Sequence, residues 1–289
     1  MQKRKLILSL CLISTVLFSK VEERQSLMQD FDIRGELEID NKIGSVKIIG
    51  SSNIKDKAII EIIKKADYKE QFEQFDIDTE ISSKNTKLKI FSIGTENIKN
   101  AEIDLIVTVP ASTDVQNKVN IGSTHISNIK GRIKSENKIG STNVDGALKK
   151  VEIRSETGSA RITFAEDSLS KSDVKVDSGS IHITNAGGTV KAEAGVGSIT
   201  LDQRALSNKK YIDLKTNNGT VNLMLPKHIN ATINAKTDLG TIQSNGLSWI
   251  KKEKKGPGSQ SDKAHLILGK GYAPIELETK VGNISVRLK

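Results

Sequence analysis

Aromatic residues make up 3% of this 289-residue chain: one Trp, three Tyr and six Phe. So few rings exclude a core built on aromatic packing and disfavour an enzyme with a deep aromatic pocket. Small branched aliphatics must fill the interior instead, within a hydrophobic content of 36%. Cysteine is nearly missing as well, Cys11 being the only one. It lies in LILSLCLISTVLF, an apolar stretch behind the basic MQKRK, and the pair reads as a secretory signal peptide over residues 1–19, too short for a membrane span. Leu10 is too large a neighbour for Cys11 to be a lipidation site. Cleavage after this segment leaves no cysteine, which points to a secreted or cell-envelope bacterial protein stabilised without disulfides. Left uncleaved, the segment is an anchor and the only expected membrane contact.

The excess of positive charge is modest and spread along the chain. The formal net charge is +9, and taking away Lys3, Arg4 and Lys5 lowers it to +6. No basic patch is interleaved with aromatics, so nucleic acid is not an expected partner. The four histidines, His125, His182, His228 and His265, have no companion at metal-ligand spacing, and neither metal nor cofactor is expected. P-loop, dinucleotide-binding, EF-hand, nucleophile-elbow and His-Glu-x-x-His patterns are all missing.

What the chain has in quantity is one short motif rewritten many times. Gly44, Gly122, Gly140, Gly158, Gly179, Gly197, Gly219, Gly240 and Gly282 are each followed by Ser, Thr or Asn. Two and four residues after the glycine come small or branched residues such as Ile181 and Ile183, with a polar residue such as His182 between them. That is the period-two alternation of a strand with one buried face. Apolar residues seven and five positions upstream, such as Leu37 and Ile39 or Ile275 and Leu277, mark a second strand before the glycine. A glycine at each corner suits a positive φ or a place where a Cβ would strike the neighbouring turn.

Strands of about five residues repeating every 18–22 residues leave no room for crossover helices and few turn signals for hairpins. The spacing predicts an all-β fold, a single-stranded parallel β-solenoid (β-helix) with coils ~4.8 Å apart. Outward charges support the stacking: six before the glycine stand Lys134, Glu152, Asp173, Lys191 and Asp213, and four before it Glu136, Arg154, Lys175, Glu193 and Lys215. Most vertical neighbours differ in sign, at about 0.2–1 kcal/mol for an exposed pair, so the alternation selects register more than it stabilises.

Residues 54–110 break the period. KAIIEIIKK, TKLKIFSI and AEIDLIVTVP read as longer strands and DYKEQFEQF (67–75) as a short polar helix or turn. The expected organisation is a signal segment 1–19, a first coil with an N-terminal β-rich cap over 20–110, and solenoid repeats over 111–289. Gly282 follows Gly240 by 42 positions, two steps of 21. WIKKEKKGPGSQSDKAH (249–265) therefore reads as a lysine-rich surface loop in one degenerate turn. Its Lys251, Lys252, Lys254 and Lys255 are the candidate binding residues, suited to phosphate or an acidic polysaccharide.

VTVPASTDV (107–115), the serial Gly-Ser/Thr corners and GKGYAPIELETKVGNISVRL (269–288) together resemble the bacterial adhesin-like envelope family, a domain of unknown function related to head-GIN-type domains. The resemblance covers nearly the whole chain after residue 19. It implies a secreted or envelope-attached β-solenoid with no catalytic residues to carry over.

The expected role is non-enzymatic: a polar face presented to an unknown protein or glycan of the envelope. An envelope stress-response or regulatory protein with a membrane partner is the alternative. A β-helix enzyme degrading acidic polysaccharides, using acids such as Glu136, Glu152, Glu156, Asp173 and Asp177, comes third. The final ISVRLK reads as a terminal edge strand whose Arg287 and Lys289 deter pairing, and as the place where an oligomer would join.

Overall fold

The structure, a computed structural model, describes residues 20–82, 84–166, 170–245, 247–254 and 262–289. The candidate signal segment lies outside the described residues. The described residues form strands joined by turns and two short 3₁₀ turns, Lys69–Glu73 and Thr95–Asn97, with no α-helix among them. They fall into two compact units that divide between Thr142 and Asn143.

In the first unit the strands are β1 (Val21–Asp30), β2 (Glu36–Ile43), β3 (Val46–Ser51), β4 (Lys57–Ala66), β5 (Asp76–Ile81), β6 (Lys87–Ile93), β7 (Glu102–Pro110), β8 (Asp114–Ile121), β9 (Thr124–Ser127) and β10 (Ile133–Ile139). They lie in two sheets, β1-β4-β7-β3-β9 and β10-β8-β2-β6-β5. The chain passes from one sheet to the other at each glycine: β2 leads through Gly44 into β3, and β8 through Gly122 into β9. The coils stack in parallel, with Val46 opposite Thr124 and Leu37 opposite Val115.

The glycines are dictated by backbone. Gly122 has φ +142°, and a Cβ on it would press into the Gly44 carbonyl, closer than the 3.0 Å real Cβ atoms keep. Backbone hydrogen bonds close the same joint, from Gly44 N–H to Ile121 O (2.8 Å) and from Gly122 N–H to Ile139 O (2.9 Å). No other residue type allows this approach.

The period-breaking stretch does more than cap. β6 pairs in parallel with β2, and β7 with β3. Together they form a further coil on the outer side of the Gly44 coil. Its corner is FSIGT, with Gly94 at φ +84°, widened by the 3₁₀ turn that follows. Antiparallel strands then finish the stack: β5 on β6, β4 on β7 and β1 on β4. The 67–75 segment is a short turn as expected, but it is not polar throughout. Phe72 and Phe75 are buried and meet edge to face at 6.0 Å, with the Lys64 ammonium 5.8 Å from the Phe75 ring centre.

The second unit holds β11 (Thr142–Ala147), β12 (Lys150–Thr157), β13 (Ala160–Phe164), β14 (Lys171–Ser178), β15 (Ile181–Ala186), β16 (Thr189–Val196), β17 (Ile199–Gln203), β18 (Ile212–Asn218), β19 (Val221–Leu225), β20 (Ala231–Leu239), β21 (Ile242–Asn245), β22 (Lys251–Lys254), β23 (Asp262–Leu268), β24 (Ala273–Val281) and β25 (Ile284–Leu288). One sheet runs β11-β13-β15-β17-β19-β25-β21 and the other β12-β14-β16-β18-β24-β20-β23-β22.

The order of these strands corrects two expectations. First, the described residues 249–254 and 262–265 do not make a degenerate turn of the coil. β23 runs antiparallel on β20, with Asn234 opposite His265, and β22 runs antiparallel on β23. The 42-residue step is therefore one coil plus a hairpin. Second, the terminal strand is not an edge. β24 sits between β18 and β20, and β25 between β19 and β21, in parallel on both sides. The last coil in sequence is thus inserted between the Gly219 and Gly240 coils, and its backbone offers no free side for a second chain to join.

Each coil adds a thin aliphatic layer. Val174, Val176, Ile181 and Ile183 form one, Ile212, Leu214, Val221 and Leu223 another, and Ile275, Leu277, Ile284 and Val286 a third, all buried. Burying each such side chain contributes about 1.5–3 kcal/mol before ordering costs. The residues seven and five before each glycine face this interior, so the upstream strand has the register the sequence predicts.

Candidate functional site

Two features of the corner recur beyond the glycine. The residue three before it points inward and, where it is Thr or Asn, can cap the glycine carbonyl of the coil beneath. Thr216 Oγ1 donates to Gly197 O (2.9 Å), Thr279 Oγ1 to Gly219 O (3.0 Å) and Thr237 Oγ1 to Gly282 O (2.9 Å). In the first unit Asn137 Nδ2 donates to Gly122 O (3.2 Å). The hydroxyl residue after the glycine links coils on the outside: Ser159 Oγ accepts from Ser180 N–H, Ser180 Oγ from Ser198 N–H and Ser198 Oγ from Thr220 N–H, each at 3.2 Å. Gly-Ser/Thr is therefore a joint, with glycine admitting the carbonyl and the hydroxyl accepting the next backbone N–H.

These joints hold the outward rows rigidly, and the two faces of the second unit differ. On the pre-glycine sheet the vertical neighbours run Glu152, Asp173, Lys191, Asp213 and Glu276, and beside them Arg154, Lys175, Glu193, Lys215 and Glu278. The register matches the sequence, but most ion pairs run along a strand, not between coils. Lys191 pairs with Glu193 (3.0 Å), Lys215 with Asp213 (3.1 Å), Lys175 with Asp177 (3.9 Å), and Lys150 with Glu152. Arg154 to Asp173 (2.9 Å) and Lys236 to Glu278 (3.1 Å) are the inter-coil exceptions. Residues i and i+2 of a strand share a face, and the carboxylate two residues away competes with the one on the next coil. The Glu193 carboxylate raises the Lys191 pKa, and Glu278 followed by Asp238 raises that of Lys236.

The post-glycine face carries few charges. Arg161, His182, Thr200, Asn222, Ser285 and Gln243 follow one another up the sheet. Burial, then the neighbouring Arg161, lowers the His182 pKa. This side is a lattice of hydroxyls and amides, the other an ion-paired polyampholyte.

The lysines singled out in the sequence occupy a distinct place. Lys251, Lys252 and Lys254 lie on β22, the edge strand of the pre-glycine sheet, with Lys251 opposite His265 and Lys254 opposite Asp262. Lys255 lies outside the described residues. Beside β22 a groove of about 430 Å³ is lined by Lys215, Asn234, Lys236, Lys263, His265, Glu276 and Glu278. Its floor is a relay in which Asn234 Nδ2 donates to Glu276 Oε1 (2.7 Å), leaving Asn234 Oδ1 to accept from His265 Nδ1 (2.7 Å). The Asn-His-Glu relay was not visible in the sequence. Its members come together only because β23 folds back on β20 while β24 inserts on the other side.

The candidate acids lie in mixed charge rows: Glu152 stands opposite Asp173 on the neighbouring strand, and Glu156 is exposed near the end of β12. In the first unit Glu136 pairs with Lys134 (2.8 Å); in the second, Glu152, Asp173 and Asp177 each pair with a base on their own coil or the next. Among the described residues no group of three or more His, Cys, Asp or Glu could hold a metal ion, and no helix is long and apolar enough to cross a membrane.

Residues 20–287 match one family model, described as Toastrack DUF4097. The chain belongs to this family. Its fold is a β-solenoid. Among solved structures, a candidate cell adhesion protein of Clostridium sporogenes shares 18% identity over 92% of this chain and 100% of its own, with a TM-score of 0.30. A candidate adhesin of Bacteroides fragilis shares 13% identity over 92% of this chain and 97% of its own, with a TM-score of 0.46. No curated protein matches this Toastrack chain.

Proposed function

We propose that this Toastrack chain is a non-enzymatic protein of the bacterial envelope that presents its polar sheet faces to a protein or glycan. The observation that carries this reading is the regularity of the outward rows. Side chains stand at coil spacing along one axis and at every second residue along the other, on a backbone whose corners are locked by glycine joints. Such a lattice suits a repetitive partner, many weak contacts acting together. The groove where Lys215, Lys236 and Lys263 stand among Glu276 and Glu278 gives a charged partner a second place to lie.

Crosslinking the tagged chain in a native bacterial envelope, followed by mass spectrometry, tests the reading. Surface proteins or glycans attached through several outward rows are expected. A single integral-membrane neighbour would favour the regulatory alternative. New reducing or unsaturated ends from an acidic polysaccharide, abolished by Asp177→Ala, would overturn the non-enzymatic reading.

A further inference from the structure

The chain's final coil, β24-Gly282-β25, lies between two coils that precede it in sequence. To reach that place the chain leaves β23 on one side of β20 and enters β24 on the other, two strand spacings or ~10 Å away. The crossing takes four residues, Gly269-Lys270-Gly271-Tyr272, with both glycines at positive φ, +57° and +68°. The turn is held over the start of β20: Lys270 N–H donates to Asn230 Oδ1 (2.8 Å) and Thr232 Oγ1 to Gly271 O (2.8 Å). The Gly282 coil is thus an insert between two coils that precede it in sequence.

The walls of this slot do not specify which chain fills it. Below, Thr279 caps Gly219; above, Thr237 caps Gly282; one coil further down, Thr216 caps Gly197. The same threonine joint recurs three times, with the backbone bonds Gly219 N–H to Val281 O (2.9 Å) and Gly282 N–H to Leu239 O (2.9 Å). Thr237 could therefore cap Gly219 directly, closing the slot with the last coil left outside. A last coil arriving from elsewhere would find both joints intact.

We propose that the C-terminal coil is an exchangeable latch, and that its slot accepts the same coil of a second copy, giving a reciprocally exchanged dimer. Every pairing inside the slot is conserved in the exchange, and only the Gly269–Tyr272 turn changes, from a crossing to an extended hinge. A reciprocal exchange is closed by a twofold axis and leaves no unfilled slot. The first copy's partner is thus this chain itself, engaged by strand insertion between coils. The outermost strands β21 and β22 take no part.

Register supplies the test, since Lys215 lies opposite Glu278 on adjacent strands. In the full chain with Cys11→Ser, one tagged version carries Lys215→Cys and a differently tagged version carries Glu278→Cys. The two are unfolded, refolded together over a range of concentrations, and oxidised. A disulfide-linked heterodimer is expected, with a share that rises with protein concentration. Deleting Lys270 and Gly271, which leaves too little chain for the crossing, is expected to raise that share several-fold. One chain carrying both cysteines should close the bond within itself when refolded dilute. Closure within the double variant but no heterodimer at any concentration overturns the exchange. Failure of the double variant to close overturns the inserted position of the coil.

Discussion

Replacing Gly197 with alanine isolates the physical reason for the repeated motif. Gly197 has φ +146°, and an added Cβ would sit 2.1 Å from the Gly179 carbonyl oxygen, part of a backbone that cannot rotate aside. The backbone strain costs about 1–2 kcal/mol. Relieving the overlap parts the two coils by about an ångström, which lengthens Gly179 N–H to Val196 O (2.8 Å), Ile181 N–H to Ser198 O (2.9 Å) and Ser198 N–H to Ser180 Oγ (3.2 Å). At about 0.5–1.5 kcal/mol each, their loss brings the total to about 3–6 kcal/mol. That is a large part of the ~5–15 kcal/mol that holds a domain folded. Gly271→Ala is the control: φ is +68°, but the new Cβ meets only side-chain atoms, Thr232 Oγ1 at 2.9 Å and Ile267 Cγ2 at 3.0 Å. It should cost the backbone strain and at most the displaced Thr232 hydroxyl bond, about 1.5–3.5 kcal/mol. Urea unfolding followed by far-ultraviolet circular dichroism measures both. If the two variants lose the same stability, the carbonyl approach is not why the corner needs glycine.

Thr279→Val removes the cap on the Gly219 carbonyl while keeping the shape, and should destabilise by about 1–2 kcal/mol in the same assay. Val176 holds the corresponding place in the Gly179 coil without a donor, and Val176→Thr should be neutral or stabilising there; a loss as large as that of Thr279→Val would show that the cap is incidental. His182 is held below its ordinary pKa of 6.5, so as the pH falls past 6.5 the unfolded chain takes up the proton first and stability declines. His182→Gln should flatten the acid side of the stability profile between about pH 5 and 7. Lys87, Lys191 and Lys236 are raised above 10.5 by their carboxylate partners. Their contribution is present below 10.5 and is lost as pH climbs through the raised values, so Lys191→Met should make unfolding less sensitive to alkali.

Local features of the fold were legible because the repeat carries its own physics. Glycine, a hydroxyl and an alternating triplet define corner, joint and strand, and the burial of Ile181, Ile183 and their counterparts follows from parity alone. What escaped was the order of the coils. Gly94 sits in FSIGT, close in pattern to NKIGS, and could have been recognised as a corner, but the seven residues between it and β7 hid the strand that follows. Nothing in the sequence distinguishes a coil stacked on its predecessor from one inserted beneath it, because the Gly219, Gly240 and Gly282 joints each use a threonine. The groove at His265 was invisible for the same reason, as it exists only where the hairpin and the inserted coil flank β20. The charge rows were legible in register but not in pairing, since a lysine reaches along its own strand as readily as across to the next.

The most direct test is the detection of backbone hydrogen bonds through scalar couplings between amide nitrogen and carbonyl carbon in nuclear magnetic resonance spectra. Couplings from Gly219 N to Val281 C′ and from Gly282 N to Leu239 C′ are expected, together with Gly197 N to Asn218 C′. A coupling from Gly219 N to Leu239 C′, with none to Val281, would place the coils in sequential order and contradict the inserted stack.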